Sequence, residues 1–363
     1  MRVLLLDRNE AYAERFAQYL GRQGDIQVSL CNDLDICKKM LSEELFQVVL
    51  FDAEFDTENP ADYSRKMTAF AFISSVKDKI KDTDTIYKYS SVSEICEEIM
   101  RIYTEHTQHE IKQDEPGEGG SVIAEVLTFL PVNGGAGGST MATAAAISLA
   151  ARGKVLYLNL EQRSAETLIF KSDSKKCITD VIATLRTNFQ LKEAKKLFDT
   201  VIVQDTAHGT GNLDFIKGYL NIGDCTSLTP QLLETLLTIL RKQFQYRYII
   251  IDADFIIGDL LRRMIVLSDK LIFVTTGTDA ANLKTEGIHR YLEIIEREED
   301  SAMPKKYMMF NQYYGDADEE NVARDMKIIG KIGRYRSDDR SLLSASGVVA
   351  QIVNIPGTFD ALA

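Results

Sequence analysis

Over the first 110 residues the apolar positions switch between two periods. Short apolar runs at Arg2–Asp7, Ile26–Cys31 and Phe46–Asp52 read as strands, with further strands predicted at Lys66–Ile73 and Thr85–Tyr89. Between and after them, Glu10–Arg22, Leu34–Glu44 and Val92–His106 space their apolar residues at helical intervals. Five strands alternating with helices predict a doubly wound α/β sheet, whose functional edge lies at the C-terminal ends of the strands.

The same rhythm returns after His109–Gly120 (HEIKQDEPGEGG), which reads as an exposed linker because of its charge, its proline and its glycines. The expected organisation is a domain over 1–108, a linker over 109–120 and a second domain over 121–363. In the second domain, strands are expected at Val122–Leu130, Lys154–Leu160, Thr200–Gln204, Tyr248–Asp252, Lys270–Thr275, Lys306–Phe310 and Ile328–Ile332. Helices are expected at Met141–Arg152, Ile178–Thr187, Lys192–Phe198, Thr229–Phe244 and Ala280–Arg297, with a last helical segment near the end. Thr229-Pro230 supplies an N-cap followed by proline at the first helical position. The fold class is α/β, with two doubly wound, mainly parallel sheets.

Composition narrows the picture little, but charge narrows it further. The 363 residues are 45% hydrophobic and 26% charged, as in a water-soluble globular protein. No apolar run approaches the ~20 residues of a spanning helix, and no export signal is read at the N-terminus. The five cysteines form no Cys-x-x-Cys pair and read as reduced thiols of a cytoplasmic protein. Net charge is −12; residues 1–110 hold 13 basic against 21 acidic residues, which leaves −8 there. That balance weighs against nucleic acid as the main partner.

The candidate chemistry centres on Asn133-Gly134-Gly135-Ala136-Gly137-Gly138-Ser139-Thr140, between a strand and an alanine-rich helix. Glycines let backbone N–H groups turn towards a phosphate, and the helix N-terminus adds a favourable dipole. Gly138 stands where such loops carry a lysine. Ser139 and Asp252 are candidate Mg²⁺ ligands, and Glu161 is a carboxylate able to orient water.

This second domain resembles the ParA/MinD superfamily of deviant phosphate-loop ATPases. The superfamily's loop, Lys-Gly-Gly-x-Gly-Lys-Ser/Thr-Thr, aligns with residues 133–140, and its Asp-x-Asp block aligns with Asn159-Leu160-Glu161. Tyr248–Asp252 matches its Walker B strand; Asn311 and the turn Gly333-Arg334-Tyr335-Arg336 match its base-binding segments. The resemblance implies ATP with Mg²⁺ as ligand and a homodimer. It also implies that the lysines missing at Gly138 and Asn133 would have reached the phosphates, the latter across the dimer. Their absence makes hydrolysis slow or absent, with Glu161 and Asn159 as the remaining catalytic candidates.

The first domain resembles a response-regulator receiver of flavodoxin-like fold. Asp52 falls at the phosphorylated position, and Asp7 and Lys88 at the other pocket positions. Arg8 follows Asp7 where a second acid belongs, and it is expected to neutralise the pocket. The pocket is then either a non-phosphorylated docking surface or one with residual phosphorylation at Asp52. The two domains together resemble the CpaE/TadZ branch, which implies a localisation and assembly factor for a tight-adherence pilus or secretion machine. That branch implies a cytoplasmic protein recruited to a cell pole or to the membrane's inner face, with any membrane association through its partners. A receiver-regulated ATPase switch and a ParA-type partitioning ATPase are the alternatives.

Overall fold

Strands buried on both faces need helices on both sides, and the chain meets that need twice. The computed structural model describes residues 1–363 apart from 22–25, 45, 56–62, 64–67, 114–122, 164–167, 188–190, 300–301, 314–321 and 336–339. The chain divides into two units. The first comprises Met1–Gly117, Ile182–Lys196 and Thr235–Ile239; the second comprises Glu118–Val181, Leu197–Glu234 and Leu240–Ala363.

The first unit is built on β1 (Arg2–Leu6), β2 (Gln27–Cys31), β3 (Val48–Asp52), β4 (Ala69–Ser74) and β5 (Thr85–Tyr87). All pair in parallel in the order β2-β1-β3-β4-β5. The central strands β3 and β4 are buried at every position, which explains their unbroken apolar runs. Helix α1 (Glu10–Gly21) buries Ala13, Phe16 and Leu20, and α2 (Leu34–Glu43) starts on the Asp33 side chain, which accepts from the Asp35 and Ile36 N–H groups. A further helix, α3, runs from Val92 to Gln113. It continues beyond His106 into the stretch read as linker, since Glu110-Ile111-Lys112-Gln113 contains no helix breaker. The rest of that stretch, 114–120, lies outside the described residues, as does the start of the predicted strand at Lys66.

The second unit holds eight strands: β6 (Glu125–Pro131), β7 (Val155–Asn159), β8 (Val203–Gln204), β9 (Leu213–Ile216), β10 (Tyr248–Asp252), β11 (Lys270–Thr275), β12 (Lys305–Tyr313) and β13 (Lys327–Gly333). Their order is β13-β12-β11-β6-β10-β7-β9-β8, parallel except for the β8–β9 pair. Sequence periodicity misplaced one strand and missed another. Thr200 and Val201 belong to a helix (Leu191–Val201), and the segment read as a polar stretch contains β9. Strand β9 is only four residues long but wholly buried beside β7, too short for an alternation pattern to show. Helix Asp259–Leu267 was not anticipated either, whereas helix Pro230–Gln243 starts on the predicted cap, Thr229 Oγ1 accepting from the Leu232 N–H.

Helix α4 (Gly138–Leu149) is buried along most of its length. Its alanines bring it close to the sheet, within a core that includes Phe129, Tyr157, Ile250 and Val274. Phe359 and Leu362, beyond the late helix α5 (Ala345–Val353), join the same core. Buried Lys270 ties this end down, its Nζ donating to the Leu362 carbonyl (2.9 Å) and to Glu125 Oε2 (2.8 Å). Replacing fully buried Leu362 by alanine is expected to lower unfolding free energy by about 2–4 kcal/mol. Urea denaturation of the full chain reads that loss; an unchanged midpoint would show that the terminal segment contributes nothing to the core.

Candidate functional site

In a parallel sheet the C-terminal ends of neighbouring strands bring distant residues together. At that edge of the first unit, β1 and β3 are neighbours, so Asp7 and Asp52 lie close together, 3% and 5% exposed. Lys88 follows β5 and reaches both, Nζ donating to Asp7 Oδ2 (2.8 Å) and forming an ion pair with Asp52 Oδ2. The remaining carboxylate oxygens accept backbone N–H groups, Asn9 to Asp7 (2.8 Å) and Glu54 to Asp52 (2.9 Å). The Tyr12 ring covers the ammonium at 4.5 Å. Burial opposes the Lys88 charge, but hydrogen bonds and charge from Asp52 and Asp7 outweigh it and hold its pKa above the ordinary lysine value.

The structure brings together all three predicted pocket residues and corrects the role given to Arg8. Arg8 is exposed and stacks over the Phe55 ring at 4.8 Å, outside the acid pair. Lys88 is the group that neutralises the pocket.

In the second unit, β10 lies between β6 and β7, so the glycine loop after β6 shares an edge with Asp252, Asn159 and Glu161. Gly135 and Gly137 take positive φ (76° and 88°), which glycine adopts at no steric cost. Gly137 is the N-cap of α4 and offers no side-chain cap, so the first N–H groups of the helix have no partner from a capping side chain. Ser139 Oγ donates to Glu161 Oε1 (2.7 Å), and Asn159 Oδ1 accepts the Glu161 N–H (2.9 Å). Thr140, the next residue of α4, is half-buried.

Asp252 is fully buried. Tyr157 O–H donates to its Oδ2 (2.6 Å), while Oδ1 has no hydrogen-bond partner among the described residues. Burial first, and the nearby Glu161 next, push the Asp252 carboxyl well above the usual carboxylate range. Burial and the Asp252 charge likewise push the Tyr157 phenol up. No group of three or more His, Cys, Asp or Glu among the described residues forms a metal cage by itself. A buried, unpartnered carboxylate oxygen close to a serine hydroxyl nevertheless fits a Mg²⁺ whose other ligands come from phosphate and water.

Three features were not legible in the sequence. Asn311 stands inside β12 rather than after it, and its 1%-exposed amide is committed to the loop. Its Nδ2 donates to the Ala136 carbonyl (2.7 Å), and its Oδ1 accepts the Tyr335 O–H (2.7 Å). Arg334 beside Tyr335 is exposed, and Arg336 lies outside the described residues. Asn133 turns back on the loop, its Nδ2 donating to the Gly134 carbonyl (3.1 Å) while its Oδ1 is buried without a hydrogen-bond partner among the described residues. Gly138, finally, is packed: a Cβ there would meet the Pro131 ring at 3.2 Å. Tyr157, two residues before Asn159 on the same strand face, had a readable signal in its period of two. The Pro131 contact, across the turn, had none.

Two outcomes are expected. Lys88→Met should lower unfolding free energy by about 3–5 kcal/mol at neutral pH, because it leaves two buried carboxylates without their cation. Since the folded pKa of Lys88 is raised, its contribution is complete below the ordinary lysine value and is lost as pH rises through the raised one. Denaturant midpoints across the alkaline range, wild type against variant, should converge only there. Gly138→Lys would bring a Cβ to 3.2 Å from the Pro131 ring, so its effect on unfolding free energy should change when Pro131→Gly is added in a double-mutant cycle. Additive effects would refute the contact.

No family profile and no curated protein sequence matches the chain. Among solved structures, it is similar to a ParA family ATPase from Chlorobium tepidum, at 19% identity and a TM-score of 0.53, over 67% of this chain and 99% of that one. Apo McdA from Cyanothece is similar at 14% identity and a TM-score of 0.51, over 66% and 100% of the two chains. A variant of Cyanothece McdA in complex with ATP gives 14%, 0.50, 66% and 95% in the same terms. About two thirds of this chain therefore shares the fold of ParA-type ATPases.

Proposed function

We propose that the eight-stranded unit binds ATP with Mg²⁺ at the glycine loop and turns it over slowly or not at all. The observation that carries this reading is the helix N-terminus without a side-chain cap within that loop, beside a buried carboxylate one of whose oxygens has no hydrogen-bond partner among the described residues. Backbone N–H groups and the helix dipole hold phosphate there whatever stands at position 138. Ser139 and Asp252 would hold the Mg²⁺, which supplies charge neutralisation between the phosphates. Of the neighbours in fold, a variant of McdA is known in complex with ATP.

The chain's own residues limit the chemistry. Gly138 offers no cation to the charge that develops during phosphoryl transfer, and that charge term dominates catalysis in such sites. Glu161 carries a carboxylate able to orient water, but it is engaged with Ser139. Nucleotide would thus be held as a ligand more than consumed as a substrate.

The whole chain reads as a dimeric localisation and assembly factor. The order of a receiver-like unit and a ParA-type unit resembles the CpaE/TadZ branch and supports a role at a pilus or secretion machine. In the first unit, strand order 2-1-3-4-5 is that of a receiver, and Lys88 between the acids favours a fixed docking module over a phosphate-driven switch. No helix among the described residues is long and apolar enough to cross a membrane.

The test of the nucleotide reading is thermal unfolding of the full chain with Mg·ATP. A stabilisation that grows with ligand concentration is expected, and its absence at millimolar Mg·ATP would remove the reading. For the dimer, sedimentation of the apo, ADP and ATP forms should give one association state, because Asn133 carries no charge to sense the terminal phosphate. A monomer that pairs only with ATP would restore a switch.

A further inference from the structure

Asp252 is held from the neighbouring strand. The register pairs it with Asn159 of β7, so Tyr157, two residues earlier on the same face, lies diagonally across from it. The Tyr157 O–H donates to Asp252 Oδ2 at 2.6 Å, and the two residues are 1% and 0% exposed. The ring itself is packed, 5.0 Å from the Phe170 ring within the core that α4 covers. At such burial, water does not replace the phenol if it is removed. A second donor stands nearby but is in use: the Ser139 hydroxyl lies close to the carboxylate and donates to Glu161 Oε1 (2.7 Å). A hydroxyl has one proton to give. The phenol thus satisfies one oxygen of Asp252 without drawing on Ser139, and Oδ1 keeps no hydrogen-bond partner among the described residues.

We propose that Tyr157 is a positioning residue that pins one oxygen of Asp252 and so leaves the other, in a set direction, for the cation that accompanies the nucleotide. The inference rests on the nucleotide reading above and goes further, to the residue that shapes the cation site and the cation it prefers. A carboxylate with one oxygen committed to a phenol offers a metal a single oxygen. Mg²⁺ is bound by single oxygens in a near-octahedral shell, whereas Ca²⁺ also takes both oxygens of one carboxylate at longer distances. Pinning Oδ2 therefore favours Mg²⁺ over Ca²⁺. Without the phenol, Asp252 would be free to turn, and it would compete with Glu161 for the Ser139 proton. Tyr157 acts only through Asp252 in this scheme and is not catalytic.

The experiment is calorimetry of the full chain with ATP in Mg²⁺, in Ca²⁺ and in EDTA. Wild type should bind ATP more tightly with Mg²⁺ than with Ca²⁺, and least tightly in EDTA. Tyr157→Phe, which removes one oxygen and keeps the ring, should lose about tenfold in Mg²⁺, as expected for a buried hydrogen bond to a charged group. In EDTA it should change by less than about twofold, because the loop backbone then holds the phosphates alone. The preference for Mg²⁺ over Ca²⁺ should shrink in the same variant. A merely structural role would weaken all three conditions together, and that result would overturn the proposal. So would a variant that keeps the wild-type dependence on Mg²⁺. In an Asp252→Asn background, Tyr157→Phe should cause no further loss of Mg²⁺ dependence; a further loss would show that the phenol acts elsewhere. If Tyr157→Phe fails to fold, the wild-type series decides, since equal affinity in Mg²⁺ and Ca²⁺ overturns the proposal. ATP binding that Mg²⁺ leaves unchanged would refute the cation site and spare the nucleotide reading. If ATP binds under none of the conditions, the nucleotide reading itself falls, and this inference with it.

Discussion

A parallel strand has to be followed by a crossover, and this single constraint places both sites of the chain. Because successive strands run the same way, every loop leaving a strand's C-terminal end emerges on one edge of the sheet. Asp7, Asp52 and Lys88, far apart in sequence, meet on one such edge; Ser139, Asn159, Glu161 and Asp252 share another. The buried apolar strands beneath stabilise the fold and also leave polar side chains at their ends.

The two edges handle buried negative charge in opposite ways. In the first unit an ammonium sits between two carboxylates, their other oxygens take backbone N–H groups, and the Tyr12 ring covers the ammonium. Such a group has little left to offer a metal or a phosphoryl group. In the second unit, Asp252 has a phenol on one oxygen and, among the described residues, no hydrogen bond on the other, with the Ser139 hydroxyl nearby. A buried carboxylate in that state raises its pKa or takes a cation, and both are ways of removing the same unpaired charge.

The missing lysine is more than a truncation. Gly138 lies against the Pro131 ring, which would have to give by a few tenths of an ångström to admit a Cβ. The loop does not depend on a cation for its shape either, because Asn311 and Gln312 hold two of its carbonyls from β12. Preformed shape and weak charge favour binding over transfer: a backbone cradle acts on bound phosphate, whereas catalysis needs charge directed at the transition state.

The sequence by itself determined the two α/β units, the strands β1, β3, β10 and β11, the glycine loop and the identity of the acids at the strand ends. Those features are local: unbroken apolar runs, alanine-rich helical spacing and glycines at a turn are written in consecutive residues. Tertiary structure alone decided the rest. Strand β9 was invisible because four residues carry no period, and its burial comes from its neighbour β7. Lys88 and not Arg8 neutralises the acid pair, because a side chain's reach depends on which strands adjoin and not on which residue follows in the chain. Asn311 was legible as a site residue, but its engagement with Ala136 and Tyr335 arises from a strand irregularity 175 residues away from the loop it holds. Hydrogen-bond partners at that separation are set by packing, and no local pattern encodes them.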